Sequence, residues 1–234
     1  MKQIAHIETL FPSKFGVPRQ AGLVEAPARV IFEPEYRVAE AVRGLEDFDY
    51  VWLIWKFHLN EELGMRNEEL ADAANNSSFK ATVRPPRLGG NKRMGVFATR
   101  SPFRPNAIGL SSVRLLKVEQ DSNLGPVLYV EGADLVDGTP IFDIKPYLPY
   151  ADNHPDARGG FAQEAPEARL TVEDPDNLLA TMDEATRKVL VETLAQDPRP
   201  HYQHDPDRVY IMPFAGCEFG FRVEDGRVII VKKC

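Results

Sequence analysis

The apolar residues of this chain come in short runs, and turn-forming residues cut the runs apart. Tyr50–Phe57 (YVWLIWKF) is nearly continuous apolar and aromatic over eight residues. That length suits a strand, and the unbroken pattern predicts one buried on both faces. Ile4–Glu8, Met94–Thr99, Ile108–Val118, Val127–Glu131 and Ile141–Ile144 read as further strands, separated by Gly, Pro and Asn-bearing turns. The early helical signal is Glu35–Leu45, with Val38, Ala41, Val42 and Leu45 at i, i+3, i+4 and i+7, Pro34 before it and Gly44 near its end. Many short strands with one early helix predict a mainly β chain built on a small closed or nearly closed β-barrel.

The intervening segments differ in kind. PSKFGVPRQAGLVEAP holds three prolines and two glycines in sixteen residues, which is the chemistry of a rigid loop. Asn60–Ser78 is polar and acidic and reads as a surface insertion, helical over Asn67–Ala74. Pro146–Pro166 is proline-rich with two adjacent glycines and reads as a linker or an extended arm. Beyond it, Asp176–Leu194 carries a helical stripe (Leu179, Met182, Val189, Leu190, Leu194). Arg208–Pro213, Glu218–Glu224 and Arg227–Val231 then read as strands, the last two joined by the hairpin signal Asp225-Gly226. The expected division is a barrel domain over residues 1–150, a Pro/Gly-rich linker over 151–170 and a small α+β domain over 171–234.

Charge is distributed unevenly. Between Phe79 and Val118 there are nine Lys or Arg and no Asp or Glu, whereas the whole chain has net charge −7. The remaining 19 basic and 35 acidic residues leave everything outside that segment at −16. A local cationic surface on an acidic protein suits an anionic partner, with phosphates the leading candidate. No apolar run approaches the roughly 20 residues that span a bilayer. The start lacks signal-peptide features, and two cysteines offer neither a disulfide framework nor zinc spacing. A cytoplasmic protein is expected.

Within the cationic segment, Arg84, Arg87, Lys92, Arg93, Arg100 and Arg104 supply groups suited to phosphate and carboxylate. Pro85, Pro86, Pro102 and Pro105 stiffen the loops that present them, and Gly89, Gly90, Gly95 and Gly109 allow sharp turns or close backbone approach. An ordinary basic surface with turns is the competing reading.

The text itself resembles the TrmO (YaeB, or TsaA-like) family of tRNA methyltransferases acting on N6-threonylcarbamoyladenosine. The resemblance is carried by KFGVPRQAGL (Lys14–Leu23), AVRGLEDFDYVWLIWKFH (Ala41–His58), Thr82–Leu110, DLVDGTPIFDIKPYLP (Asp134–Pro149) and AQDPRPHY (Ala195–Tyr202). It covers most of residues 14–150 in the family's order. The acidic stretch Asn60–Ser78 is longer than the connection expected between F-x-x-H and V-R-P-P-R.

The resemblance implies a small β-barrel that binds S-adenosylmethionine without a Rossmann sheet, works as a homodimer and modifies the anticodon loop of tRNA. No G-x-G-x-x-G stands between a strand and a helix, in keeping with this. It also implies a cofactor-binding set: Gln20, Ala21, Gly22 and Leu23; His58 and Leu59; Arg100; Leu110; and Glu131, Gly132, Ala133 and Asp134. Arg100 suits the methionyl carboxylate, Asp134 a ribose or amino group, and the Gly22 backbone the adenine edge. Each has a plainer alternative: Leu110 as core, Asp134 as a turn cap, His58 as a satisfied structural group. Trp52, Trp55 and Phe57 read as core rather than stacking contacts.

Asp137, Asp143 and Lys145 are the catalytic candidates. A carboxylate among them would orient or deprotonate the acceptor N6–H, which is urea-like and poorly nucleophilic while protonated; Lys145 would bind the threonyl carboxylate. Asp137 next to Gly138 also reads as a turn aspartate. Arg84, Arg87, Lys92, Arg93 and Arg104 are the candidates for the RNA phosphate path. Methyl transfer requires no metal, and no Cys/His cluster stands ready to hold one. Two rival functions remain: a non-catalytic RNA-binding barrel, and a methyltransferase for another RNA or a small metabolite. Against the first, the aromatics concentrate in a strand read as buried rather than beside the basic residues.

Overall fold

A computed structural model describes residues 1–60, 80–89, 92–164, 170–199 and 205–233. Its strands are β1 (Ala5–Glu8), β2 (Pro27–Phe32), β3 (Tyr50–Lys56), β4 (Thr82–Val83), β5 (Met94–Gly95), β6 (Ile108–Asp121), β7 (Gly125–Glu131), β8 (Thr139–Pro146), β9 (Thr171–Glu173), β10 (Tyr210–Phe214), β11 (Cys217–Glu224) and β12 (Arg227–Lys233). Six of them close a barrel in the order β1-β2-β7-β6-β3-β8, every neighbouring pair antiparallel. A second sheet runs β10-β11-β12-β9, with β12 and β9 parallel. β4 and β5 pair as a separate ribbon.

Closure gives every barrel strand a neighbour on both sides and leaves one interior. One face of each strand fills that interior, including Ile7, Val30, Val51, Leu53, Trp55, Val113, Leu128, Val130 and Ile141. This corrects the expectation that Tyr50–Phe57 is buried on both faces. Val51, Leu53 and Trp55 of β3 point inward, whereas Trp52 and Ile54 are half-buried and Tyr50 is exposed on the outer wall. Tyr147 packs beside this outer face, with ring centroids 6.1 Å from Tyr50 and 5.8 Å from Trp52.

The early helical segment also differs in kind. It is helical only as three 3₁₀ turns, Pro34–Tyr36, Ala39–Val42 and Leu45–Asp47. Val38 is extended and Gly44 is left-handed at φ 78°, and either breaks a continuous helix. The apolar residues are still used, since Tyr36, Val42 and Leu45 pack on the barrel core, but along a chain that follows the barrel. Met94–Thr99 is not one strand: after β5 the chain turns through a 3₁₀ turn, Val96–Ala98. The C-terminal helix spans Glu184–Ala195 rather than the whole expected stripe. Asp183 sets its start by accepting from the Thr186 N–H at 2.9 Å. Asp174 holds the preceding turn through the N–H groups of Leu178 and Leu179, both at 2.8 Å. β2 was not among the expected strands, because Pro27 and Arg29 break up its apolar run.

The hairpin at Asp225-Gly226 forms as expected, with both residues at positive φ (46° and 73°) between the paired Glu224 and Arg227. The second core draws on both ends of the chain. Phe11, Val24 and Ala26, from the connection between β1 and β2, pack with Val189, Leu190 and Leu194 of the helix and with Met212, Phe214, Phe219 and Phe221 of the sheet. Residues 61–79, most of the acidic insertion, and residues 200–204, including His201, lie outside the described residues. Among the described residues no helix is long and apolar enough to cross a membrane.

Candidate active site

Antiparallel pairing brings three connections to one rim of the barrel. The registers Glu8↔Arg29, Pro27↔Glu131, Lys56↔Ile108 and Ile7↔Thr139 put the ends of β1, β3 and β7 beside the starts of β2, β6 and β8. Residues 9–26, the described parts of 57–107 and residues 132–138 therefore meet there. Most of the candidate residues sit on those segments.

β6 runs past the end of β7: Arg114 pairs with Glu131, and the residues before Arg114 pair only with β3. Asp134 reaches this part of β6. The Ser111 hydroxyl donates to Asp134 Oδ1 at 2.5 Å, and Trp55 Nε1–H donates to Ser111 Oγ at 3.0 Å. Trp55 lies against Gly109, its cross-strand partner, and a Cβ at Gly109 would come within 2.2–2.6 Å of the indole carbons. Only glycine lets the ring sit where its N–H reaches Ser111. Burial pushes the Asp134 carboxyl above its ordinary value, although Ser111, the Arg100 charge and the Ala21 N–H all favour the ionised form.

The first connection closes on the same group. Gln20 Oε1 accepts from Arg100 Nη1 at 2.5 Å. The Gly22 N–H donates to Gly132 O at 2.9 Å, and the Gly132 N–H donates to Ala26 O at 3.0 Å. Lys14 Nζ donates to Leu59 O, tying this connection to the segment that follows β3. Burial, together with the nearby charge of Lys14, lowers the His58 pKa and favours a neutral ring. The structure thus gathers Gln20, Ala21, Gly22, Arg100, Gly132 and Asp134 around one point. Leu23 follows Gly22 in the chain, and Ala133 is buried in the barrel core. Two further candidates neighbour the cluster in the chain, and neither is core. Leu110 is 53% exposed on the outer wall, and Glu131 is 3.6 Å from Arg114.

The catalytic candidates occupy two places. Asp137 Oδ1 accepts from the Thr9 N–H at 2.8 Å, and the Asp137 N–H donates to Phe11 O at 2.8 Å, so this residue pins the exit of β1. Asp143 and Lys145 form an exposed ion pair at 2.9 Å on the outer wall of β8. Asp143 is in register with Ile54, which on its other side faces Leu110.

Among the RNA candidates, Arg84, Lys92 and Arg93 are exposed. Arg87 donates to Glu164 O, in the arm that follows the barrel. Arg104 does structural work, donating to Thr99 O at 2.6 Å and Val96 O at 3.2 Å. Its guanidinium also lies over the ring of Phe97, 5.7 Å from the centroid. Phe97 is 71% exposed, which corrects the expectation that the aromatics lie away from the basic surface. Sequence reasoning also missed Ser111, because a serine alternating with apolar residues along a strand carries no signal until its cross-strand neighbours are known.

Known proteins agree with this architecture. The family model for the tRNA-methyltransferase O N-terminal domain matches residues 6–153, and that for the TrmO C-terminal domain matches residues 167–233. A tRNA (adenine(37)-N6)-methyltransferase of Escherichia coli is 45% identical over 211 residues, covering 86% of this chain and 83% of that protein. One from Eikenella corrodens is 44% identical over 184 residues, covering 78% of this chain and 95% of that protein. The crystal structure of TrmO from Pseudomonas aeruginosa superposes with a TM-score of 0.73 at 29% identity, covering 99% of this chain and 97% of that one. With both domains matched in order and the closed barrel shared, this chain belongs to the tRNA-methyltransferase O family.

Proposed function

We propose that this chain methylates N6 of the adenine at position 37 of tRNA, on a base already carrying the N6-threonylcarbamoyl group, with S-adenosylmethionine as donor. The observation that carries this reading is the single rim where Asp134, Arg100 and the turned backbone at Gly22 meet beside an acid-free cationic segment. This donor set fits the cofactor. Arg100 is matched to the methionyl carboxylate, Asp134 to the ammonium or a ribose hydroxyl, and the backbone at Gly22 to the adenine edge. A carboxylate whose ionised form burial disfavours gains most when a cationic ligand shares its site.

When bound, S-adenosylmethionine supplies a methyl group already activated by its sulfonium. The chain's own contribution is then alignment and proton removal. The proline-stiffened loops around Val17–Gly22 and Pro102–Pro105 hold the acceptor in line. Asp143 accepts the N6 proton in this reading, and Lys145 engages the carboxylate of the threonyl group. Arg84, Lys92 and Arg93 follow the phosphates of the anticodon loop, while Phe97, backed by Arg104, offers a ring on which an unstacked base can lie. The barrel over residues 1–150 is the catalytic unit, the enzyme is cytoplasmic, and it works as a homodimer. The exposed Tyr50, Leu110 and Leu116 on the outer wall support such pairing.

The test is methyl transfer from labelled S-adenosylmethionine to tRNA bearing or lacking threonylcarbamoyl at position 37, followed by nucleoside mass analysis. Label on the N6 position of the modified base is expected. Label on neither tRNA refutes the reading, and equal labelling of both removes the threonylcarbamoyl requirement.

A further inference from the structure

The connection that carries Gln20–Leu23 belongs to the second core as much as to the barrel. Phe15, Val17, Val24 and Ala26 pack into that core, and the Glu25 carboxylate pairs with Lys188 of the C-terminal helix at 2.8 Å. Just past that helix the chain makes a closed corner. Asp197 adopts φ 52° and its N–H donates to Leu194 O at 3.0 Å. Its carboxylate receives Arg199 through Nε at 2.8 Å and Nη2 at 3.0 Å. Burial alone would push the Asp197 carboxyl up, but the Arg199 fork and its charge hold it below the ordinary carboxylate value. The corner thereby presents two carbonyl oxygens to Arg19, whose Nη2 donates to Asp197 O at 2.9 Å and Arg199 O at 3.3 Å. The next residue, Gln20, receives Arg100, and the one after it, Ala21, turns its N–H to Asp134.

We infer that the C-terminal domain is a brace for the cofactor site, with Arg19 as the positioning residue that transmits it. Arg19 touches neither Arg100 nor Asp134 in the contacts described. Its anchorage fixes the backbone that sets Gln20 and Ala21 against them. Both bonds come from the one nitrogen Nη2, so a single donor spans the two carbonyls and ties the loop to the corner at two points. The inference rests on the reading of this cluster as the S-adenosylmethionine site.

The test uses the full chain, with calorimetric titration of S-adenosylmethionine and, separately, anisotropy of labelled tRNA. Arg19→Ala should weaken cofactor binding about tenfold, equivalent to about 1.4 kcal/mol. Arg19→Lys should recover part of the loss, and tRNA affinity should stay within about twofold in both. The control is Lys188→Ala, which cuts another contact between this connection and the C-terminal helix without touching Arg19 and should leave cofactor affinity within about twofold. Thermal scans confirm that each variant is folded; should Arg19→Ala fail to fold, the same comparison is made with Arg19→Lys. Unchanged cofactor affinity overturns the brace, as does an equal loss in Lys188→Ala, which would make the effect general destabilisation. Lost tRNA affinity with intact cofactor binding would assign the C-terminal domain to RNA instead. If the unaltered protein binds no S-adenosylmethionine, the site reading itself fails and the brace falls with it.

Discussion

Replacing Gly109 with alanine tests the contact on which the candidate site is built. The added Cβ would lie 2.2 Å from Cε2, 2.4 Å from Cζ2 and 2.6 Å from Cδ2 of Trp55. Carbon atoms in contact sit about 3.5–4.0 Å apart, so the indole must retreat by about 1.3 Å or more. It is buried in the barrel, with Phe57 on one side at 4.3 Å between centroids. A retreat of that size stretches the 3.0 Å bond to Ser111 beyond hydrogen-bonding range. Overpacking costs about 1–3 kcal/mol and a buried N–H left without an acceptor about 1–3 kcal/mol. A combined loss of about 2–6 kcal/mol follows, a large share of a typical total of about 5–15 kcal/mol. For a chain of this size, a Tm decrease of about 10 °C is expected by scanning calorimetry. The double variant Gly109→Ala/Trp55→Leu removes the ring that the methyl group meets, so its loss should fall short of the summed single losses by about 1.5 kcal/mol or more. A Gly109→Ala loss below about 1 kcal/mol, or additive effects in the cycle, would refute the reasoning.

Three further outcomes are expected. Asp134 has a raised native pKa against an unfolded value of about 3.9, so the folded state holds the extra proton between those values and cofactor-free stability falls as pH rises through the native pKa. Urea unfolding across that range should show wild type losing ground to Asp134→Asn as pH rises, and a constant gap would contradict the assignment. Phe97→Ala should weaken tRNA binding by about 5–150-fold, in line with about 1–3 kcal/mol for a stacked base, in protein that thermal scans show to be folded; unaltered affinity removes Phe97 from the interface. Asp137→Ala should cost about 1–2 kcal/mol of stability through the Thr9 N–H yet retain single-turnover methyl transfer, whereas Asp143→Ala should cost under about 1 kcal/mol and abolish transfer. The reverse pattern would exchange their roles.

The legible part of this chain is the part governed by local chemistry. Short apolar runs and Gly/Pro turns sufficed to place β3, β6, β7, β8 and the Asp225-Gly226 hairpin, because a strand and a two-residue turn are decided by neighbours in sequence. The cationic segment was equally plain, since charge adds along the chain before any folding. The early helix was misjudged because its 3.6-residue spacing was compatible with a rod, while barrel packing and a left-handed Gly44 favoured three separate turns. The second face of β3 was misjudged because an apolar run does not say how many layers will cover it; closure of six strands left one interior.

The site followed the same division. Gln20, Arg100 and Asp134 were grouped by the family resemblance alone, and the bond between Gln20 and Arg100 was not legible in the sequence. It depends on antiparallel registers that carry three distant connections to one rim. Gly109 was legible as a place of close approach and Trp55 as core, but that they meet, and that Ser111 links Trp55 to Asp134, depends on the strand or segment opposite. Arg19 had no role assigned from the sequence; the fold set two carbonyls of the C-terminal corner against it. Composition and periodicity thus determined which pieces this protein is made of. Only tertiary pairing decided which distant side chains share a hydrogen bond, because that depends on register and closure, which no local stretch of sequence contains.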